Sequence, residues 1–257
     1  MTSEPMMRPG RAFGDMAMMA EGLKRSSESM DVTQSPIYQE VMAQLAGERT
    51  VLDIGAGVGR FTGPLAKAEC RVTAIEPSEE MLSHLNDALR QRDVADRVTV
   101  IQAAWPLQDS LRAEVVLAAF VIQFSENVAG FAQAMERAAK RRCVIAVHVD
   151  PLMGFLAPLW PLFRPHESPP HMPVFADIYP QLLNAGIMAD VRIFPEPFGP
   201  RWSDPKEALP MLARRLRIEG DAEATERLNQ ILQERREEFM QPRTHRVALI
   251  SWAPREQ

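Results

Sequence analysis

The sequence predicts an α/β protein built on a doubly wound, mostly parallel seven-stranded sheet, with an N-terminal helical cap and a helical insertion before the last strand. Three observations carry this prediction. Short apolar runs alternate with segments of helical period from Val51 onward. The first run, Val51-Leu52-Asp53-Ile54, ends in the glycine turn Gly55-Ala56-Gly57-Val58-Gly59, and the second, Arg71 to Ile75, ends in Glu76. With 257 residues, 46% of them hydrophobic, the chain can fill one large core and still carry an insertion.

Residues 1–47 precede the first strand and hold eight of the fifteen methionines. Flexible methionine suits an adaptable apolar cover. Met6 to Met19 has neither caps nor a regular period, whereas Ile37, Val41, Met42 and Leu45 form a helical stripe that packs on the domain. Strands are expected at Val51 to Gly55, Arg71 to Glu76, Val98 to Ala103, Glu114 to Phe120 and Cys143 to Val149. Helices fit between them. Arg60 to Glu69 follows the glycine turn, and Ser78 caps a helix to Gln91 that puts Met81, Leu82, Leu85 and Leu89 on one face, with Glu79 and Glu80 in its first turn. Asn127 to Arg141 does the same with Val128, Phe131, Met135 and Ala138. Right-handed crossovers then make residues 48–150 a Rossmann-like half, with its ligand at the carboxyl ends of the central strands.

After Asp150 the composition changes. Seven prolines lie between Pro151 and Pro173, among Phe155, Trp160, Phe163, His166 and His171, so no regular helix or strand is expected there. A segment of this length with large aromatics is either a substrate lid, the favoured reading, or a rigid packed connection. Val174 to Asn184 resumes as a helix before Gly186, and Asp190 to Phe194 reads as a strand. Phe198 to Met240 is the inserted helical part. Asp204-Pro205 opens Lys206 to Ile218, Gly220 stops it, and Asp221 caps Ala222 to Met240 with Leu228, Ile231, Leu232, Arg235 and Phe239 on one face. Arg246 to Trp252 closes the sheet, so residues 151–257 comprise lid, sheet completion and insertion within a single domain.

The chemistry gathers at the strand ends. Gly55, Gly57 and Gly59 lack a Cβ, so the turn can take positive φ and a ligand can lie against its backbone. A following helix N-terminus would suit a phosphate or a carboxylate equally. Asp53 breaks the tie, because a carboxylate there repels a pyrophosphate but complements a ligand carrying an ammonium and a sulfonium. Glu76, about twenty residues after the first loop glycine, is placed to accept two ribose hydroxyls, as the acid of dinucleotide sites does. The dinucleotide fingerprint is Gly-x-Gly-x-x-Gly, and here the third glycine comes one position early.

The run Asp53-x-Gly55-x-Gly57-x-Gly59 with Glu76-Pro77-Ser78-x-x-Met81 resembles the class I S-adenosylmethionine-dependent methyltransferase family, over roughly residues 48–150. The resemblance implies S-adenosylmethionine as cofactor, held by Asp53, Gly55, Ala56, Gly57, Gly59, Glu76, Pro77 and Met81. Where the family often has an acid for the adenine amino group, this chain has Gln102-Ala103-Ala104-Trp105, so backbone atoms of Ala103 and Ala104 take that role. Trp105 either covers the purine or is a core tryptophan. Glu114 stands for the usual Asp of the fourth-strand motif, and small Ala118 and Ala119 would let carbonyls approach the cofactor ammonium. The family's last two strands form an edge in which one runs antiparallel. Its N-terminal segments fold over the pocket, which for Met6 to Met19 is the alternative to disorder. Asp53 is read either as lying near the methionine end of the cofactor or as a helix cap or loop anchor.

Methyl transfer asks mainly for in-line approach, and a base only for O–H or N–H acceptors. His148, at the end of the fifth strand, is the candidate base, against the reading of a satisfied strand-end histidine. His148, Asp150, His166 and His171 lack the spacing of a zinc site, so no metal is expected. Cys70 and Cys143 form no Cys-x-x-Cys and read as buried, inert thiols. A net charge of −5 argues against a nucleic-acid partner, with Arg214-Arg215-Leu216-Arg217 read as a solvated helix face. No signal-like or membrane-length apolar run occurs, so a cytoplasmic protein with no membrane partner is expected. These readings converge on methyl transfer to a small-molecule acceptor. The alternatives are a non-catalytic cofactor-binding or regulatory module of the same fold, and a nicotinamide oxidoreductase if the glycine spacing is misread. The methylated atom and the oligomeric state are not encoded in any of these motifs.

Overall fold

A computed structural model describes residues 20, 22–23, 31–107, 111–198, 202, 204–241 and 243–255. The expectation for Met6 to Met19 lies outside the described residues. Helix α1, Pro36–Gln44, opens with Pro36 at its first turn and with the Ser35 hydroxyl accepting the Ile37 N–H at 3.3 Å. Ile37 and Val41 are buried, while Met42 and Leu45 are half-buried, so the expected stripe narrows to one ridge.

The alternation then follows as β1 Thr50–Ile54, α2 Thr62–Lys67, β2 Arg71–Ile75, α3 Glu79–Gln91, β3 Val98–Ile101, β4 Ala113–Ala119, α4 Val128–Ala138 and β5 Ala139–His148. After it come α5 Trp160–Phe163, α6 Phe175–Asn184, β6 Asp190–Phe198, α7 Pro205–Leu216, α8 Ala222–Glu234, α9 Arg236–Met240 and β7 Arg243–Trp252. The seven-stranded sheet has the order β3-β2-β1-β4-β5-β7-β6. Its first five strands are parallel. At the start of β5, Arg142 reaches Ser251 near the end of β7, and at the other end the Val149 N–H donates to the Arg246 carbonyl at 2.8 Å. Strand β7 therefore runs antiparallel to β5. The mixed, mostly parallel sheet predicted from the sequence is the sheet observed.

The caps behave as the residue types dictate. Ser78 Oγ accepts the Met81 N–H, Asn127 Oδ1 accepts that of Gly130, and Asp221 Oδ1 accepts that of Ala224. Five boundaries differ from expectation. Helix α2 starts at Thr62 rather than Arg60, because Gly57 to Phe61 form successive turns. Helix α4 ends at Ala138 and its expected last turn joins β5, where Ala139 pairs with Ala113 and Arg142 with Val115 across a bulge. Tertiary pairing overrides helical period there. Strand β6 runs on to Phe198 through Pro195 and Pro197, which an edge strand tolerates. The long helix from Ala222 breaks at Arg235 into α8 and α9, and β7 begins three residues before the expected Arg246.

Two compact units share the chain, one comprising residues 1–147, 173–194 and 248–257, the other 148–172 and 195–247. In the first, β4 is buried from Ala113 to Ala118, as a strand covered on both faces should be. At its amino end the Glu114 carboxylate accepts the N–H groups of Ala46, Glu48 and Arg49 at 3.0, 3.4 and 2.9 Å. Burial opposes ionisation of this carboxyl, but the three donors outweigh it and hold Glu114 below the usual glutamate range. Glu114 is thus a latch on the entry to β1, far along its strand from the carboxyl end. Both cysteines are buried and unpaired, and burial raises both thiols above their ordinary range.

The second unit has its own core, in which Leu156, Leu159 and Trp160 pack with Leu212, Leu216, Leu228, Leu232 and Phe239. The stretch from Pro151 to Pro173, expected to hold no regular element, contains a 3-10 turn at Gly154–Leu156 and the helical turn α5 with Pro161 near its start. The Trp160 indole donates to the Glu167 carbonyl at 2.8 Å, and Arg164 Nε to that of Leu216 at 2.9 Å. Its first half is core; residues 165–171 are exposed. Among the described residues no helix is long and apolar enough to cross a membrane.

Candidate functional site

The glycine turn lies over the end of β2, with the N–H groups of Gly55 and Ala56 both donating to the Ile75 carbonyl at 2.8 and 3.1 Å. All three loop glycines have positive φ, +66°, +55° and +85° in order. They are not equivalent. A Cβ on Gly55 would stand 2.5 Å from Val121 Cγ2, and one on Gly59 would stand 2.6 Å from Leu85 Cδ1. Those two positions exclude side chains because the protein itself fills the space. Among the described residues, a Cβ on Gly57 would meet nothing closer than the Gly55 carbonyl at 4.0 Å, so space is left on that side of its backbone. The sequence argument gave all three glycines to the ligand; only Gly57 is left without a close described neighbour in its Cβ direction.

Two buried carboxylates flank the turn. Glu76 is 7% exposed, with Oε2 accepting the Gly57 N–H at 2.9 Å and Oε1 the Ser78 N–H at 3.0 Å. Each oxygen keeps a second lone pair for a further donor. Burial raises its pKa against the pull of those two N–H groups. Asp53 is 2% exposed and its Oδ2 accepts the Thr62 hydroxyl at 2.6 Å, so it does anchor the start of α2. Burial first, and the nearby Glu76 charge, push Asp53 up to about 6 against the Thr62 hydrogen bond. A buried, reluctant anion of this kind is the partner a cationic ligand group would relieve.

That shift has a consequence for the ligand-free protein. Because the folded pKa lies above the ordinary 3.8 of aspartate, the protonated group favours folding below about pH 4, and this contribution is lost as pH rises through about 6. Asp53→Asn, which keeps an oxygen for Thr62 and removes the charge, should stabilise the protein at pH 8 by about 1–3 kcal/mol and leave it unchanged near pH 4. Chemical denaturation at the two pH values measures this; equal effects at both would remove the strained-anion account.

The other predicted residues fall around the same strand ends. Ala56 is buried within the turn, and Met81 is buried at the first turn of α3, where it packs with Val58 and Ala20. Pro77 is half-buried just before Ser78, Ala103 and Ala104 are half-buried beyond β3, and Ala119 is the half-buried last residue of β4. Trp105 was read in two ways, as purine cover or as core. It is 4% exposed, its indole N–H donates to the Phe131 carbonyl at 3.3 Å and its ring meets Phe131 edge-on. This packing is that of the core alternative. At the end of β4, Phe120 takes φ +58°, and the Arg60 guanidinium lies 5.4 Å from its ring centroid and 5.2 Å from that of Phe61. The sequence reading passed over this cluster; the aromatic after two small residues at a strand end was its signal.

In the helical unit, His148 ends β5 and is 9% exposed. Its ring lies edge-on to His245, with centroids 6.0 Å apart. Asp150 takes a two-pronged ion pair from Arg246, whose side-chain bonds hold the carboxyl below the usual aspartate range. Burial, with Arg243, lowers the His245 pKa against the opposite pull of Asp150. His245 was missed in the sequence because the last strand was started at Arg246; an antiparallel final strand brings its own beginning to the end of β5. Among the described residues no three metal-ligating side chains come together.

Residues 52–145 match the family model described as "Methyltransferase domain". Over 73 residues the chain is 40% identical to the ribosomal RNA small subunit methyltransferase A of Bacillus pumilus (strain SAFR-032), a match covering 28% of this chain and only 22% of that protein. In fold the chain is similar to the YcgJ protein from Bacillus subtilis, with a TM-score of 0.53 and 16% identity over 86% of this chain and 98% of that one. It is equally similar to magnesium protoporphyrin IX methyltransferase from Synechocystis PCC 6803 with bound SAH, at a TM-score of 0.52 and 15% identity over 94% and 89% of the two chains. At such identities the likeness shows the fold.

Proposed function

We propose that the chain, whose residues 52–145 match a methyltransferase domain, is a class I S-adenosylmethionine-dependent methyltransferase and transfers a methyl group from S-adenosylmethionine to a small-molecule acceptor. The glycine turn carries this reading: the Gly57 N–H is held by buried Glu76, its Cβ direction meets no described atom closer than 4.0 Å, and buried Asp53 stands just before the turn. When bound, S-adenosylmethionine supplies an electrophilic methyl group on a good leaving group. Glu76 would accept the ribose hydroxyls on the lone pairs its backbone donors leave, and Asp53 would face the ammonium. Ala103 and Ala104 would meet the adenine through their backbone, while the small side chain of Ala119 admits its carbonyl to the methionine end. His148 would take the proton of an O–H or N–H acceptor, and the protein otherwise works by holding the acceptor in line.

Glu76→Ala should weaken cofactor binding by about 1.5–3 kcal/mol, since hydrogen bonds to a charged group are removed and the Gly57 N–H loses its anchor. Calorimetry on the folded variant checks it; unaltered affinity would take Glu76 off the ribose.

The acceptor class is supported by the net charge of −5, which works against a phosphate-rich partner. RNA is the second reading, favoured by the likeness to the ribosomal RNA methyltransferase of Bacillus pumilus. Radiolabelled methyl transfer into a small-metabolite extract and into ribosomal RNA, run side by side, decides between them. Label in metabolites alone supports the proposal. Label in RNA with a steep loss at raised salt would replace it, and label in neither with intact cofactor binding would favour a non-catalytic module.

A further inference from the structure

Strand β6 ends the sheet, so among the described residues one of its edges has no strand beside it. Such an edge presents a row of backbone donors and acceptors, and proteins usually guard it with charge, proline or cover. Here the guard is uneven. Pro195 and Pro197 interrupt the second half of β6, but the first half is Asp190-Val191-Arg192-Ile193. Of the six large hydrophobic side chains exposed on the described surface, four fall between Leu183 and Ile193: Leu183, Met188, Val191 and Ile193, the last at 49% and Met188 at 88%. They are concentrated where the backbone edge is open, which is the pattern of an interaction surface rather than of scattered exposure.

The charges along the same strand name the occupant. Asp190 and Arg192 lie two residues apart and so project from one face, while Val191 and Ile193 project from the other. If a second β6 is laid antiparallel with Val191 facing Val191 of its copy, Asp190 of each chain stands directly opposite Arg192 of the other. In that register Ile193 faces Ala189 and the exposed Met188 faces Phe194. Opposite charges and apolar side chains are therefore both matched by one two-fold axis, and cross-strand pairs of these kinds are favourable. Beside the strand a cavity of about 220 Å³ is lined by Glu40, Arg142, Asp190 and Arg192, with Leu249 and Ser251 behind. Arg142 lies 3.5 Å from Glu40 and 2.5 Å from Asp190, one cation serving two carboxylates.

We propose that the outer edge of β6 is where two copies of this chain meet, strand to strand and antiparallel about Val191, joining their sheets into one. An isologous contact of this kind needs self-complementarity and nothing else. The full chain should run as a dimer in sedimentation equilibrium at micromolar concentration. Ile193→Lys, at an exposed position that leaves the core untouched, should make it a monomer with unaltered circular dichroism. Arg192→Asp alone and Asp190→Arg alone each set like charges opposite one another and should also be monomeric. Mixed together they regain two opposite pairs per contact and should form a one-to-one heterodimer. A monomeric parent chain, or a dimer untouched by Ile193→Lys, would overturn the interface; single variants that fail to pair when mixed would overturn the register. Preservation of dimer in both charge variants would overturn the charge pairing.

Discussion

Gly57→Val should abolish detectable S-adenosylmethionine binding while the protein remains folded. Two effects add. At φ +55° a β-branched residue is strained by about 1–3 kcal/mol, and its side chain enters the one part of the turn whose Cβ direction is open. The strain alone lowers the melting temperature modestly; the occupied volume removes the site. Gly55→Ala and Gly59→Ala should behave differently, because their added methyl groups strike Val121 and Leu85 and act on stability first. Titration calorimetry paired with thermal melts separates the two classes. Normal binding in a folded Gly57→Val protein would remove the turn from the cofactor site.

His148→Ala should lower turnover by about 100-fold or more with cofactor affinity near that of the parent, the size of effect general bases contribute. The motivation is positional, since the ends of β1 and β2 are taken by Asp53 and Glu76 while β5 ends in an imidazole. The pH profile of the variant should also differ from that of the parent, because a general base acts only in its unprotonated form. His245 sits edge-on to His148 with its own protonation disfavoured by burial, so it adds little competing positive charge there. Full turnover in the variant with an unaltered pH profile would mean that positioning alone drives the reaction, and would point to an acceptor whose nucleophile needs no deprotonation.

The strands, the caps and the two acids were legible because each depends on a few neighbouring residues: a short apolar run, a Ser or Asp before a helix, an acid at a strand end. What was not legible depends on distant partners. Nothing near Gly55 or Gly59 announces Val121 or Leu85, so three glycines that look alike in sequence divide into two kept for packing and one kept for open space. Trp105 is settled by Phe131, a residue on α4, and the extra length of β5 by pairing with β4. For Asp53 the sequence offered a loop anchor without naming what it would anchor, since Thr62 becomes its partner only once the turn has closed.

The helical unit is made from two stretches of chain, 148–172 and 195–247, and this fixes the order in which it can form during synthesis. Leu156, Leu159 and Trp160 leave the ribosome well before α7, α8 and α9, whose side chains complete their core. Until Phe239 has followed, they have no native surface to cover them. The sheet waits as well, since its inner edge beside β5 is filled by β7 near the very end of the chain. Between the emergence of β5 and that of β7 a nascent chain therefore carries exposed apolar side chains and an open sheet edge, the condition under which chaperone capture is favoured and a chain cut before β7 aggregates.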